Sequence, residues 1–508
     1  MVRFKYDRVS YLHQPNTHQA LNIRVAEAED FTYLQDNPFV SAWTGLNVKK
    51  AGFDDVDKEK ASKIIINHTK DSPFYKDECK RYIRYKNKSY EIKAKITNAT
   101  DKEIQKNVKV MNSLLQKIKS ESENRMEVVH IDMDMFFAAC EERENPSLID
   151  TIFAVGSSNM LLTSNYHARK YGIRGGMPGF IGNALAQEIA GVELTIVEPN
   201  MTLYKKLSSD VQHICQQYDQ NFTMKGLDEG YLNLKHHLIH RPSLTKYEKS
   251  VVTEKCGACK DKIISDCSDC SRILYGDDIE SAVRQMRETV YQSTGLTCSA
   301  GIGHNNLIAK LCTDINKPNG QYKMDESESL DYVRALRVIS IPGIGKKLDS
   351  ILSMAFDIHT VNELYEKRHM LPFGFLEATL LRLGGAMMAE ATTEGYRKTV
   401  KTKYEGRPVI AAETKFVPTS SRYDILMELQ SVTEDISKQL LNQNLKAQTI
   451  NIKVKSNKSD TLSASKTVKQ PIQLKEDVLQ ISKDLLFDIC KNHNTKISYI
   501  SISLTDFV

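Results

Sequence analysis

Tryptophan is almost missing from this 508-residue chain: Trp43 is the only one. Long apolar runs are missing too. No stretch reaches the roughly 18 residues that a membrane-crossing helix needs, which excludes a protein anchored by such helices. The basic start, Met1–Tyr11, has no apolar segment behind it, so the pattern of a secretory leader is absent. Without that leader, the ten cysteines read as thiols rather than as a disulfide framework. A strong overall charge bias is also lacking, since the net charge is only +5. The hydrophobic fraction, 41%, is ordinary. The length exceeds what one core usually serves, so about three to five domains are expected.

What charge there is sits unevenly. Residues 76–120 hold 13 Lys and Arg against 5 Asp and Glu, with Tyr82, Tyr85 and Tyr90 among them. Clustered cations with aromatics suit a polyphosphate partner. The plain alternative is a solvated lysine-rich helix. Residues 1–50 are of mixed character. Residues 55–70 read as a helix with a narrow stripe of Ala61, Ile64 and Ile65. Over 101–120, Ile104, Val108, Met111, Leu115 and Ile118 recur at three- and four-residue steps, which predicts an amphipathic helix. Lys102, Lys106, Lys109 and Lys117 form its other face.

Two acidic motifs carry the chemistry. The apolar run Val128–Ile131 ends on Asp132, within His130-Ile131-Asp132-Met133-Asp134. Far along the chain, Asp228 and Glu229 sit inside the short apolar run from Leu227 to Leu232. Carboxylates at the ends of neighbouring strands can hold two divalent cations for in-line phosphoryl transfer. Mg²⁺ suits hard oxygen ligands of this kind. Either acid pair alone could equally be a solvated turn. Strand and helix signals alternate to about residue 331, so the core is α/β or α+β.

Three further features stand out. Cys256-x2-Cys259-x7-Cys267-x2-Cys270 has the makings of one structural Zn²⁺ site, or else of a flexible insertion with free thiols. It lies in a charged, histidine-containing stretch, 235–275, expected to be a surface insertion. Ile341-Pro342-Gly343-Ile344-Gly345-Lys346-Lys347 reads as a helix-hairpin-helix turn. Its backbone N–H groups and lysines can hold a nucleic-acid phosphate. The last hundred residues read as strand, helix, strand, strand, helix, strand. There Ile450, Ile452 and Val454 face one way and Asn451, Lys453 and Lys455 the other; Ile500, Ile502 and Leu504 alternate with hydroxyl residues. A sheet with one apolar and one basic or hydroxyl face can lie along a phosphate backbone.

At this point five motifs, in order, resemble the Y-family DNA polymerases. They are Asp132 to Phe137, Thr163 to Arg169, Arg174 to Phe180, Leu227 to Leu232, and Asn316 to Gln321. Asn165-Tyr166-His167-Ala168-Arg169 and Met177-Pro178-Gly179-Phe180 are similar to the kappa/DinB branch in particular. The basic segment before the first motif resembles the N-terminal clasp of eukaryotic members. The likeness runs from about residue 40 to the end.

The resemblance implies a multidomain α+β right-hand polymerase with palm, fingers, helix-hairpin-helix thumb, C-terminal little finger and N-terminal helical clasp. It implies boundaries at 1–120 for extension and clasp, 121–134 and 201–331 for the palm, 135–200 for the fingers, 332–400 for the thumb and 401–508 for the little finger. It implies catalytic roles for Asp132, Asp228 and Glu229. With the main-chain carbonyl of Met133, these would ligate two Mg²⁺, for which Mn²⁺ can substitute. Phe136, Phe137, Tyr166, Arg169 and Lys317 would contact the nucleotide, with Phe137 as the sugar gate. Met160, Gly175 and Gly176 would roof the nascent base pair. Gly343, Gly345, Lys346, Lys453 and Lys455 would contact DNA. The chain departs from the family pattern at Leu162, Gly175, Gly176, Gly226 and Gly230, and the two roof glycines suggest a roomier or more mobile roof.

The expected function is template-directed, low-fidelity DNA synthesis across lesions, using primer–template DNA and dNTP. A catalytically silent DNA-bound scaffold is the alternative from another class. An eta-type polymerase or a deoxycytidyl transferase is the alternative within it. The family further implies a monomer in the nucleus, with a mitochondrial address open, no membrane, and a sliding clamp and other translesion polymerases as partners. The basic segment 50–120 is expected to be an added arm that clamps DNA, removable to residue 100 with the metal site intact.

Overall fold

The computed structural model describes residues 51–70, 72–121, 127–256, 259, 267–390, 409–442, 445–456, 461–490 and 496–507. Trp43 and the mixed segment 1–50 lie outside the described residues, as do 391–408. The chain forms two compact units, Met1–Tyr396 and Arg397–Val508.

Three helices come first among the described residues of the first unit. Helix α1 (Lys58–Thr69) starts where the Asp57 side chain accepts the Lys60 N–H at 3.0 Å. It buries Ala61, Ile64 and Ile65, the predicted stripe. Helix α2 (Pro73–Thr97) follows a Ser72 cap, with proline in its first turn, where a missing N–H costs nothing. Helix α3 (Asp101–Glu121) begins at a reciprocal pair: Glu103 accepts the Thr100 N–H at 2.8 Å and Thr100 accepts the Glu103 N–H at 3.3 Å. Met111, Leu114 and Leu115 turn inward, and the four predicted lysines are exposed.

These helices are not a separable arm. Phe53, Val56 and the α1 stripe share one core with Ala154, Leu161, Ile173, Ile181 and Leu185. Ile92 of α2 and the α3 residues share another with Ile351, Leu352, Phe356, Leu380 and Leu383. Each fully buried Ile or Leu contributes roughly 1.5–3 kcal/mol. Removing residues 1–100 would therefore expose two cores, contrary to the sequence expectation of a dispensable arm.

The middle of the unit carries the catalytic motifs. In chain order come β1 (Val128–Met133), α4 (Phe136–Glu144), β2 (Phe153–Gly156), β3 (Leu161–Ser164), α5 (Tyr166–Arg169), β4 (Thr195–Val197), α6 (Met201–Gln216), β5 (Met224–Lys225) and β6 (Glu229–Leu232). Then follow α7 (Lys235–His240), β7 (Ser250–Glu254), β8 (Ser271–Leu274), α8 (Ile279–Thr294), β9 (Cys298–Gly303), α9 (Asn306–Thr313) and β10 (Gln321–Lys323). The principal sheet has the order β10-β9-β1-β6-β5, so β1 is central. Its strand β9 is buried at every position, as a central strand covered on both faces must be. Val129, Ile131, Tyr204, Val211, Val283 and Met286 build the core between this sheet and helices α6 and α8. A smaller sheet, β3-β2-β4, carries the start of the second motif on β3, and the third is fastened to it where the Gly176 N–H donates to the Leu161 carbonyl at 2.8 Å.

The stretch 235–275 is less loose than expected. It forms α7 and the antiparallel hairpin β7–β8. Arg241 is fully buried beneath it. The Arg241 guanidinium donates to the Gly276 carbonyl at 2.7 Å and to Gln285 Oε1 at 2.8 Å, tying the hairpin base to α8. Farther on, Gly343 has φ +88°, the left-handed turn that precedes α10 (Lys346–Phe356); α11 (Glu377–Met387) closes this part.

The second unit consists of β11 (Ile410–Thr419), α12 (Arg422–Asn442), β12 (Ala447–Ser456), β13 (Thr461–Ile472), α13 (Lys475–Cys490) and β14 (Ile497–Phe507). This is the element order read from the sequence. The sheet order is β11-β14-β12-β13. Ile450, Ile452, Val454, Ile500, Ile502 and Leu504 are buried beneath the two helices. Lys453 and Lys455 are exposed on the other face, opposite Ser501 and Tyr499.

Candidate active site

The three predicted carboxylates meet at one end of the principal sheet. Antiparallel pairing sets Asp132 directly opposite Glu229 on one side and Ser299 on the other. The Met133 N–H donates to the Asp228 carbonyl at 2.8 Å, which locks the two acidic strand ends together. The Met133 side chain points into the core and is 2% exposed, leaving only its main chain for the site.

Crowded acids need positive charge. Burial, then neighbouring Asp132 and Glu229, push the Asp228 carboxyl up to about 6. Contact with His130, then Lys310, holds Glu229 down at about 2. Lys317 lies in an ion pair with Asp132, and Lys310 in one with Glu229. The donor set is all hard oxygen, partly open to solvent, and short of cations where Asp228 stands. That combination fits divalent metal ions, which prefer such ligands.

Asp134, two residues past Asp132, has a different environment. It is 2% exposed. It accepts from Ser299 Oγ at 2.7 Å, Thr297 Oγ1 at 2.8 Å and the Asn319 N–H at 2.8 Å. Its work is structural: it fastens the start of β9 and the turn that presents Lys317. Met135 next takes a left-handed conformation, φ +41°, and starts α4. Strain of that kind in a non-glycine residue is held by the surrounding contacts. Phe136 is buried, while Phe137 stacks on Tyr204 with ring centres 4.4 Å apart.

Tyr166 and Arg169 are the first and last residues of the four-residue helix α5. Asn165 is buried and accepts the Ala168 N–H at 3.0 Å, which starts α5. The three-residue spacing then sets Arg169 against the Tyr166 ring at 4.7 Å. The Tyr166 hydroxyl is buried with no hydrogen-bond partner among the described residues. Burial raises its pKa and so do the charges of Asp134 and Asp132, which are close enough to act on it. An orphaned hydroxyl beside an arginine is an acceptor-seeking site, as an incoming phosphate requires.

Several neighbours were not foreseen. Lys310 lies on α9, 81 residues from its partner Glu229. The His130 Nε2 lies 3.5 Å from Glu229, and its Nδ1 lies 2.8 Å from Thr313 Oγ1. The alternation His130-x-Asp132 along a strand carried that signal, since both share a face. Arg169 also donates to the Ala51 carbonyl at 3.2 Å, and Gly52 packs on the Tyr166 ring. No local pattern announces this closure of the site by residues 51 and 52.

Other predicted residues stand apart from the acids. Met160 is 56% exposed beside β3. At Gly175 an added Cβ would lie 2.4 Å from the Leu162 carbonyl oxygen. Glycine there answers to close backbone packing, which corrects the expectation of a merely roomier roof. Gly176 has φ +76° with open space around it. Gly345 caps α10 without a side-chain partner, and Lys346 and Lys347 in the first turn of that helix are exposed. A groove of about 350 Å³ beside them is lined by Arg81, Arg84, Tyr85, Lys88, Lys347 and Ile351.

The pattern of motifs matches known proteins. The impB/mucB/samB family model matches residues 131–314, and that of the family's C-terminal domain matches 407–508. DNA polymerase kappa of Caenorhabditis elegans is 34% identical over 471 residues, covering 87% of this chain and 76% of that protein. The chain belongs to this family, the Y-family polymerases of the kappa and DinB type. DNA polymerase kappa of Mus musculus is 30% identical over 516 residues, 91% of this chain. The chain spans only 58% of that relative's length. Among solved structures, a Y-family DNA polymerase chimera of Dbh and Dpo4 aligns with a TM-score of 0.56 at 19% identity. It covers 75% of this chain and 99% of its own. The multidomain α+β fold is thus that of a Y-family polymerase. No helix among the described residues is long and apolar enough to cross a membrane.

Proposed function

We propose that this chain is a template-directed, low-fidelity DNA polymerase of translesion synthesis, adding dNTPs to a primer 3′-hydroxyl. One observation carries the reading: Asp132, Asp228 and Glu229 converge at paired strand ends, with Lys317 against them and the orphaned Tyr166 hydroxyl within their field. The curated relatives bear the name DNA polymerase kappa, which supports it.

In this reading the three carboxylates and the Met133 carbonyl hold two Mg²⁺. Bound there, the ions lower the pKa of the attacking hydroxyl and steady the leaving phosphates. The chain's own residues do the rest. Arg169 and Tyr166 grip the triphosphate, and Lys317 turns from Asp132 to the same phosphates. Phe137, fixed by Tyr204, limits the room beside the sugar and so disfavours a 2′-hydroxyl. Met160, Gly175 and Gly176 cover the base pair. The α10 amino end, the basic groove beside it and, separately, Lys453 and Lys455 hold DNA phosphates without reading sequence. Nuclear residence follows from the same family reading.

Asp228→Asn tests it. Primer–template binding should persist, because none of the phosphate-holding residues changes. Nucleotide addition should fall by at least about a hundredfold, since charge stabilisation acts on the transition state. Near wild-type extension by this variant would remove the assignment and favour a silent scaffold.

A further inference from the structure

Away from the carboxylates, Cys256, Cys259, Cys267 and Cys270 form the one cluster of metal-ligating side chains found among the described residues whose ligand atoms all converge. Their four sulfurs lie within 4.8 Å of one another. A tetrahedral zinc–thiolate centre, with Zn–S near 2.3 Å, needs sulfurs about 3.8 Å apart. Cys256 and Cys267 already stand at 3.6 Å. Cys259 and Cys270 are buried and Cys256 and Cys267 half-buried; four thiolates fill a tetrahedral shell and leave no coordination position for a substrate.

The backbone around the cluster supports the same end. Cys256 follows β7 and Cys270 immediately precedes β8, so both sit at the loop end of the hairpin. The Cys256 N–H donates to the Cys270 sulfur at 3.4 Å, and the Cys259 N–H donates to the Cys256 carbonyl at 3.0 Å. An N–H aimed at sulfur favours thiolate, the form a metal binds.

The loop also needs such a centre. Between Glu254 and Ser271 run 16 residues, with Ile263 and Ile264 as the only large aliphatics. A loop of that length is far beyond an ordinary hairpin turn, and two isoleucines make no core. Small segments without a core are commonly folded by metal or disulfide.

We propose that Cys256, Cys259, Cys267 and Cys270 bind one Zn²⁺ in a closed, structural tetrathiolate site that folds residues 255–270 onto the end of the β7–β8 hairpin. The site is independent of the carboxylates and takes no part in phosphoryl transfer.

The test uses the full chain purified under reducing conditions without chelator. Elemental analysis should find about one zinc per chain. Substitution by Co²⁺ should give sulfur-to-cobalt charge transfer and the intense visible bands of a tetrahedral thiolate site. Both should be lost in Cys256→Ser/Cys270→Ser, where two of four ligands are gone. In the unaltered chain, release of zinc by a thiol-specific mercurial should open 255–270 to protease, and returning thiol and zinc should close it. That arm needs no variant to fold. Less than about half an equivalent of zinc, full zinc retention by the double variant, or mass spectrometry finding two disulfides in this cluster would each overturn the proposal.

Discussion

The acids at the end of β1 and β6 and the thiols at the end of β7 and β8 gather ligands in opposite ways. The carboxylates are carried by strands whose core is complete without them, and they repel one another. Lysines 310 and 317 neutralise part of that charge. The thiols sit on a hairpin whose loop has almost no apolar content, and two of the four are buried. One cluster is imposed by a finished fold at some cost in stability. The other, by our proposal, completes a fold that its own sequence leaves unfinished. An open oxygen site suits chemistry and a closed sulfur site suits architecture.

If the hairpin depends on its anchors, removing the buried one should hurt most. Arg241→Ala strands Gln285 Oε1 and the Gly276 carbonyl and leaves a cavity, so we expect a loss of about 3 kcal/mol in denaturant unfolding. The carboxylate geometry, on the other end of the sheet, should be unaffected. A change under 0.5 kcal/mol by the same order-of-magnitude reckoning, roughly that of an ordinary surface substitution, would mean that the hairpin does not lean on α8.

The carboxylate side should respond in the opposite direction. Asp228 has its carboxyl raised from 3.8 to about 6, so its stabilising, protonated form is complete below pH 3.8 and lost as pH rises through 6. Asp228→Asn should therefore stabilise the metal-stripped chain at pH 7.5 by about 1 kcal/mol, after allowance for solvent screening. The gain should shrink towards zero below pH 4. Destabilisation at pH 7.5 would show that the acids support the fold rather than burden it.

A smaller effect separates the two regions by pH. Burial, then Arg241 and His236, pull His237 from 6.5 down to about 4. Its neutral Nε2 faces the Arg241 guanidinium at 3.1 Å. The stability this supplies is present above pH 6.5 and is lost as pH falls through 4. His237→Gln, which keeps an acceptor but cannot titrate, should flatten the loss between those values, by less than about 1 kcal/mol for a ring only half buried. Unchanged pH dependence would release His237 from that role.

Much of this was legible in the sequence because it was local. The acids end short apolar runs, and a strand ends where they stand. The period of Met111, Leu115 and Ile118 gave α3, and alternation at Ile450, Ile452 and Val454 gave β12. Helix α2 was not legible, since its buried face includes few large apolar residues among many charges. Asp134 looked like one more acid of its motif. Its three donors come from Thr297, Ser299 and Asn319, more than 160 residues away, and only the fold brings them together. Lys310 was hidden for the same reason, because α9 must first pack on the sheet before its lysine reaches Glu229.

Helix α2 belongs to two cores at once: Tyr75 and Cys79 near its start join α1 in the core of the β3-β2-β4 sheet, and Ile92 near its end joins the core of α10 and α11. The stretch of helix from Cys79 to Ile92 spans roughly 20 Å, at about 1.5 Å per residue. The β3-β2-β4 sheet and the α10–α11 bundle are therefore coupled through one continuous helix. They cannot shift far relative to each other unless α2 bends or one of its ends is torn from its core. A hand built from separately hinged parts would open and close around its substrate freely. This one carries a strut across two of its parts, and the length of the strut sets their spacing.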